Sequence, residues 1–408
     1  MVKVPPRLPG SNRCYQVRDS CITTGLSPVH PFTSGRYVDS STSFFLPLIT
    51  DGCHFCLFNC DIAQYLSTNN RRFLFRAVRT QTMKLSGTRD AGKADSWYEG
   101  DPDVLSNQLD GFLNGVPTSV NNSHLPIAGA KVIIAPHAGY SYSGPCAAWA
   151  YKCLDLSKAK RIFLLGPSHT YYLRGCALTK FAQYATPFGD LTIDEPVVQK
   201  LRDTGKFQDM PTYNEVEEHS LEMHLPYIYK RITQTFSSRD EYPTLVPILI
   251  GDNKSPEEKQ FGALLAPYLQ DPDNVFVVSS DFCHWGDRFS YTVYAPGSDV
   301  NNLTSLTYRT RKPRDPPIHE SIKLLDELAM DAIASGRHDD FIDNLKKTKN
   351  TVCGRHPIGV TMAALEVLAQ NTADADKYKF KFVQYQRSSL AEVFSDSSVS
   401  YASAYAIV

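Results

Sequence analysis

Four short runs of aliphatic and β-branched residues mark the middle of the chain, at 131–135, 161–165, 244–250 and 275–278. Each stops at Gly, Pro, Ser or an ionisable residue: Pro136-His137, Gly166-Pro167-Ser168-His169, Gly251-Asp252 and Ser279-Ser280-Asp281-Phe282-Cys283-His284. Unbroken apolarity, rather than alternation, marks strands covered on both faces. Between the runs, apolar residues recur at helical spacing over 147–154, 197–203, 221–233 and 256–269, the alternation that βαβ units require. An Asp-Pro start introduces a further helix over 101–113, where Val104, Leu105, Leu109, Phe112 and Leu113 recur at helical spacing. The segments 379–386 and 398–407 alternate instead, predicting a late antiparallel pair. The fold class is therefore α/β, a single three-layer domain with a largely parallel or mixed central sheet.

The pattern does not extend to the start. Residues 1–82 mix Pro, Ser, Thr and Arg with isolated apolar patches and sustain neither period, so they are expected to form a poorly structured N-terminal extension. The α/β domain is expected over 83–408, with 297–319 as an exposed loop insertion carrying the basic cluster between Arg309 and Arg314.

Composition narrows the function classes. At 408 residues, 42% hydrophobic and 21% charged, the chain has the make-up of an ordinary globular protein. Forty-two Lys and Arg against 43 Asp and Glu leave a formal charge of -1, which recommends neither a nucleic-acid nor an anionic-membrane partner. No apolar run reaches the roughly 18 residues of a membrane span, and Pro, Gly, Ser and Asn stand where a secretory core would be, so a cytoplasmic location is expected. Of 10 cysteines, Cys14, Cys21, Cys53, Cys56 and Cys60 crowd the first sixty residues and the rest are scattered singly, unlike a disulfide framework. Cys53, Cys56 and Cys60 offer one C-x2-C pair without a second, which argues against a zinc site.

The chemistry lies just beyond the strand runs. In open α/β sheets the ligand crevice lies outside the carboxyl ends of the strands, so His137, His169, Asp281 and His284 should converge. Cys353, in Cys353-Gly354-Arg355-His356-Pro357, sits at the entrance of a helix over 360–368, a position expected to lower its pKa. Neutral imidazoles with a thiolate suit iron, copper or zinc rather than magnesium or calcium. A nucleophilic thiolate activated by His356 or Arg355, or a buried inert thiol, are the alternatives. His219 and His224 are five apart, on different faces, and so cannot be a zinc-protease pair; His219 and Glu222 can share a face. Gly139 and Gly144 form no dinucleotide fingerprint and no P-loop follows, so no nucleotide cofactor is expected. They let backbone approach a pocket lined by Tyr140 and Tyr142, while Trp97 and Tyr98 form either an aromatic wall or part of the core.

Five ordered motifs resemble the signatures of the Memo family, mediators of receptor-driven cell motility. They are Pro136-His137-Ala138-Gly139-Tyr140, Gly166-Pro167-Ser168-His169, Glu218-His219-Ser220-Leu221-Glu222-Met223-His224-Leu225-Pro226, Ser279-Ser280-Asp281-Phe282-Cys283-His284-Trp285-Gly286 and Cys353-Gly354-Arg355-His356-Pro357-Ile358-Gly359. The resemblance begins near Arg89 and Ser96-Trp97-Tyr98, ends at Asp396-Ser397-Ser398-Val399-Ser400-Tyr401, and leaves residues 1–82 uncovered. It implies a fold similar to that of class III extradiol dioxygenases, whose non-haem iron is held by two histidines and a glutamate. By that resemblance His137 and His169 are metal ligands, Cys353 stands in the glutamate's place, and His284 takes the acid–base position with Asp281 beside it.

The thiolate is a departure that changes the metal's redox behaviour, so ring cleavage does not simply carry over. The resemblance implies instead an iron or copper protein of oxidase type, reducing dioxygen toward superoxide or peroxide in signalling linked to cell motility or growth. It also implies a competing reading, a metal-independent adaptor for phosphotyrosine-containing peptides or signalling proteins. There, protonated His137, His169 and His284 would attract the phosphate, and Trp97, Tyr142, His219 and His224 would line the substrate or peptide pocket.

Overall fold

The structure is a computed structural model describing residues 84–370, 372–374 and 376–408. The expectations for residues 1–82, including Cys53, Cys56 and Cys60, lie outside the described residues.

The four apolar runs form the centre of the sheet: β1 (Ala130–Ala135), β2 (Arg161–Pro167), β5 (Thr244–Ile250) and β6 (Asn274–Ser279), with β3 (Cys176–Leu178) and β4 (Phe207–Asp209) between β2 and β5 in the chain. The remaining strands of this sheet are β7 (His284–Trp285), β8 (Phe380–Arg387) and β9 (Ser398–Ile407). In space the order is β7-β9-β1-β6-β2-β5-β3-β4, with β8 also paired to β9. β1, β6, β2 and β5 run parallel, while β9 lies antiparallel to both β1 and β8, so the sheet is mixed. The parallel register sets Phe163 beside Phe276, and their stacked rings, 4.6 Å apart, sit in the core.

Helices cover the sheet: α1 (Pro102–Asn114), α2 (Tyr140–Cys153), α3 (Glu195–Asp203), α4 (Leu225–Thr235), α5 (Ser255–Gln270), α6 (Ile318–Ala334), α7 (His338–Thr348) and α8 (Arg355–Ala369). The crossover β1-α2-β2 advances across the sheet in one direction and β5-α5-β6 in the other. Right-handed crossovers then put α2 and α5 on opposite faces. α2 packs on β1 and β9, and α5 and α8 pack together over β6.

Several boundaries differ from the sequence pattern. The helix expected from 147 begins at Tyr140, because Gly139 closes the preceding loop and acts as its N-cap. The helix expected over 221–233 is broken into a turn, His219–Glu222, and α4, since Pro226 fits only the first turn of a helix. α6 and α7 were not anticipated, although Ile318, Ile322, Leu325, Ala329 and Ile333 are buried at helical spacing. Within 297–319, residues 308–312 are exposed, Leu306 is buried, and Ile318 already belongs to α6. No helix among the described residues is long and apolar enough to cross a membrane.

Candidate metal centre

β1, β2 and β6 end at the same edge of the sheet, and a cavity of about 810 Å³ opens there. His137, His169, Asp281 and His284 line it, as the topology requires.

His137 follows β1 and is buried. Its Nδ1 lies 2.6 Å from Ser279 Oγ, and that hydroxyl donates its single hydrogen to the Ser220 carbonyl at 2.7 Å. The hydroxyl can only accept from His137, so Nδ1 carries the proton and Nε2 presents a bare lone pair. Nε2 faces Cys353 Sγ at 3.3 Å. Burial, and after it the neighbouring imidazole of His169, hold the His137 pKa well below the ordinary histidine value.

His169 is oriented in the same way by a carboxylate. Glu218 is fully buried and receives His169 Nδ1 at 3.0 Å on Oε1 and the His169 amide at 2.7 Å on Oε2. It also caps the His219–Glu222 turn, accepting the amides of His219 and Ser220. Burial alone would raise the Glu218 pKa, but the bond from His169, the nearby imidazoles and backbone amides outweigh it and hold the group at about 2. An ionised Glu218 only accepts, so His169 also turns Nε2 outward.

The Glu218 turn is docked from two sides. Arg89, fully buried, donates to the carbonyls of Glu215, Val216 and Glu218 and pairs with Glu222 at 2.8 Å. On the other side Ser220 donates to the Pro167 carbonyl, and a Cβ on Gly166 would come within 2.7 Å of Ser220 Oγ. Only glycine lets the end of β2 approach the turn this closely.

Cys353 precedes Gly354, the N-cap of α8. A Cβ at Gly354 would lie 2.4 Å from the Ser279 carbonyl oxygen, so glycine is what brings the thiol against the end of β6. Cys353 Sγ accepts the Asp281 amide at 3.2 Å. The expected lowering of its pKa is not found: burial, and after it the Asp281 carboxyl, push the thiol well above its ordinary value. The helix entrance does not compensate for desolvation beside an acidic group.

Asp281 receives the His137 amide at 2.8 Å, and burial raises its pKa despite the opposing pull of His284. His284 Nδ1 contacts the carbonyls of Phe282 and Thr351 at 2.9 and 3.3 Å, which can only accept, so this imidazole too is fixed with Nε2 free.

The chain has close relatives in sequence. The family model described as Memo-like protein matches residues 89–405. Protein MEMO1 of Xenopus tropicalis is 42% identical over 320 residues, covering 78% of this chain and 97% of that protein. Protein MEMO1 of Homo sapiens is 42% identical over 314 residues, 77% and 95% of the respective chains. The chain belongs to the Memo family. The memo-1 homolog of Caenorhabditis elegans is 39% identical over 325 residues, 79% of this Memo chain and 84% of its own. A crystal structure of an uncharacterized Escherichia coli K12 protein covers 67% of this chain and 98% of its own at 12% identity, with a TM-score of 0.39, a likeness too distant to carry an argument.

In this Memo chain one ring nitrogen each of His137 and His169 and Cys353 Sγ lie within 4.8 Å of one another. Ligands about 2.0–2.3 Å from a shared ion stand about 3.3–3.8 Å apart at tetrahedral angles, so small side-chain shifts would close this set around a metal. Two oriented imidazoles and a thiol fit a transition metal.

Trp97, Tyr142 and His219 also line the cavity, and the Trp97 ring lies 4.6 Å from that of His219. His224 does not reach it: five residues past His219 it faces inward, fully buried, with Nδ1 2.8 Å from the Tyr151 hydroxyl. Tyr140 and Tyr98 are likewise core residues rather than wall residues. Glu222 serves Arg89 and Tyr98, not His219. Sequence reasoning missed Glu218, Ser279 and Arg89 as orienting groups, although the first two stand inside the family-like motifs and Arg89 marks their start.

Proposed function

We propose that this Memo-family protein is a redox protein holding iron or copper between His137, His169 and Cys353. The observation that carries the reading is the fixed tautomer of both histidines, with Nδ1 committed to Ser279 and Glu218 and the bare Nε2 of His137 facing the thiol. A structural histidine would use both ring nitrogens on protein partners, whereas metal-ligating histidines are regularly held by Nδ1 with Nε2 left for the ion. A metal held there would supply one-electron transfer to dioxygen, with a cellular one-electron reductant restoring it. Metal binding would also displace the thiol proton that the apo site retains.

Asp281 and His284 hold protons at the cavity wall. Burial favours the protonated Asp281 carboxyl, and His284 offers a free Nε2 as acceptor. The group that joins His137 and His169 is the Cys353 thiol rather than a carboxylate, which argues against the ring cleavage of an extradiol triad. Five free thiols among the described residues support a reducing, cytoplasmic compartment. The role in signalling linked to cell motility or growth rests on the family resemblance.

A second reading, phosphotyrosine-peptide docking, draws on Arg288 and the hydroxyls of Ser388, Ser389, Ser397 and Ser398, which line the cavity. His137 does not support it, because burial holds this imidazole neutral. The test is anaerobic titration with ferrous or cuprous ion. One equivalent bound by the wild type and lost in folded His137→Ala, His169→Ala and Cys353→Ala supports the metal reading. No binding by the folded wild type overturns it.

A further inference from the structure

A run of aromatic rings leads from the candidate centre into the interior. The imidazole of His169 stacks on that of His219 with centroids 4.4 Å apart, and His219 lies 4.6 Å from the indole of Trp97. Trp97 is bonded in sequence to Tyr98. From there the centroid separations are 5.5 Å to Tyr140, 5.4 Å to Tyr227 and 4.7 Å to Tyr151, the last pair being parallel. All four phenols are buried.

Their hydroxyls are not equivalent. Tyr140 and Tyr227 donate to the carbonyls of Met223 and Gly144, which cannot take a proton away. Tyr98 donates to Glu222, whose charge is already committed to the buried Arg89. Of the four, Tyr151 has a ring nitrogen beside its hydroxyl, His224 Nδ1 at 2.8 Å, with the His224 carbonyl farther away at 3.5 Å, and the tautomer protonated on Nε2 makes Nδ1 the acceptor; Nε2 of that buried ring has no partner among the described residues. An apolar core gains nothing from an imidazole left half-satisfied, and phenylalanines would pack in these positions without any hydroxyl to place.

We propose that Trp97, Tyr98, Tyr140, Tyr227 and Tyr151 form a hole-transfer relay that carries an oxidising equivalent from the cavity to a resting place at the Tyr151–His224 pair. The proposal builds on the metal reading of the cavity. The oxidant is a peroxide. Reducing one hydrogen peroxide to two waters takes two electrons and two protons, and a centre that yields one electron leaves the second to be found. Trp97 gives up that electron and is refilled stepwise through Tyr98, Tyr140 and Tyr227 from Tyr151. Tyr151 ends as a neutral phenoxyl radical with its proton on His224 Nδ1, and solvent in the open cavity provides the two protons for water.

Burial holds the His224 pKa down at about 3. A phenol that has lost an electron is a far stronger acid than that, so the proton still moves to the imidazole. When an electron returns to Tyr151, the weakly basic imidazole hands the proton straight back, which makes the pair reversible.

The test uses the full chain, with bound metal measured in each sample. Ferrous-loaded protein is mixed with hydrogen peroxide, freeze-quenched and examined by electron paramagnetic resonance. The expected result is a tyrosyl signal that is lost in Tyr151→Phe, several-fold weaker in Tyr227→Phe, and shorter-lived in His224→Gln, where the proton acceptor is gone. Loaded protein that gives no tyrosyl signal, or gives one undiminished in Tyr151→Phe, overturns the relay.

A second arm separates the relay from the metal reading. Metal-free protein is photo-oxidised with a ruthenium polypyridyl complex and a cobalt(III) quencher, and the long-lived tyrosyl absorbance of wild type is compared with that of Tyr151→Phe. Radicals on exposed tyrosines are common to both and cancel. A wild-type excess supports the relay even if metal binding fails, and no excess overturns it.

Discussion

Replacing Glu218 with glutamine tests whether this carboxylate orients a metal ligand or merely caps a turn. Its Oε2 accepts the amides of His169 at 2.7 Å and Thr170 at 3.3 Å, and its Oε1 accepts His169 Nδ1 and the amides of His219 and Ser220, each at 3.0 Å. Every partner is a donor. A glutamine must turn its own NH2 toward one set, and the less costly choice leaves the His169 and Thr170 amides unpaired. An orphaned buried donor costs about 1–3 kcal/mol, and because these two amides are only half-buried the metal-free protein should lose about 1–3 kcal/mol in all. His169 Nδ1 would keep an acceptor, but a neutral one, and loss of such a partner typically weakens metal binding about 10- to 100-fold. Urea unfolding of the apo protein and a chelator-competition titration of ferrous ion measure the two effects separately. Lower stability with metal affinity unchanged within about twofold would refute the orienting role and leave Glu218 as a cap alone.

Three further outcomes are expected. Glu258 is buried between His338 and His356, accepting from each at 2.6 Å; burial would raise its pKa and lower that of His338, but these bonds prevail and shift Glu258 down and His338 up. The depressed carboxyl stabilises fully above its ordinary 4.5 and the raised imidazole fully below its ordinary 6.5. The stability lost in His338→Gln should therefore be greatest between these values, declining as pH falls through the Glu258 pKa or rises through that of His338; a flat difference across denaturation curves would count against the pair. Gly354→Ala forces a Cβ to within 2.3 Å of Ser280, so it should cost about 1–3 kcal/mol by overpacking and displace the Cys353 thiol, read as a lowered melting temperature together with weakened metal binding. A chain of residues 83–408 should unfold with the same midpoint and bind metal like the full-length protein, whereas failure to fold would place necessary contacts before Met83.

Much of this architecture was legible because it follows from local pattern. The apolar runs stop where the parallel strands stop, and the edge they share makes His137, His169, Asp281 and His284 neighbours on sequence pattern alone. What stayed hidden depends on docking between distant segments. Glu218 becomes an acceptor for His169 only when its turn is pressed against Gly166 and Pro167 and tied down by Arg89. Ser279 fixes the His137 tautomer only because the Ser220 carbonyl consumes its hydrogen. His224 illustrates the opposite error: its place in a family-like motif suggested the pocket, but the break before Pro226 turns it into the core. The pKa of Cys353 was misjudged for a related reason, since helix position is visible in a sequence while burial beside Asp281 is not. The helices α6 and α7 are masked in the sequence by Pro316-Pro317, which fits the end of a loop as well as the start of a helix, where Pro317 is in fact the N-cap.

The central claim is that one metal ion sits between two oriented imidazoles and a thiolate. X-ray absorption spectroscopy of the anaerobically loaded protein tests it most directly. One sulfur and two imidazole nitrogens are expected in the ligand sphere, with the sulfur contribution lost in Cys353→Ala. A bound metal surrounded only by nitrogen and oxygen, or a sulfur signal that survives that substitution, would contradict it.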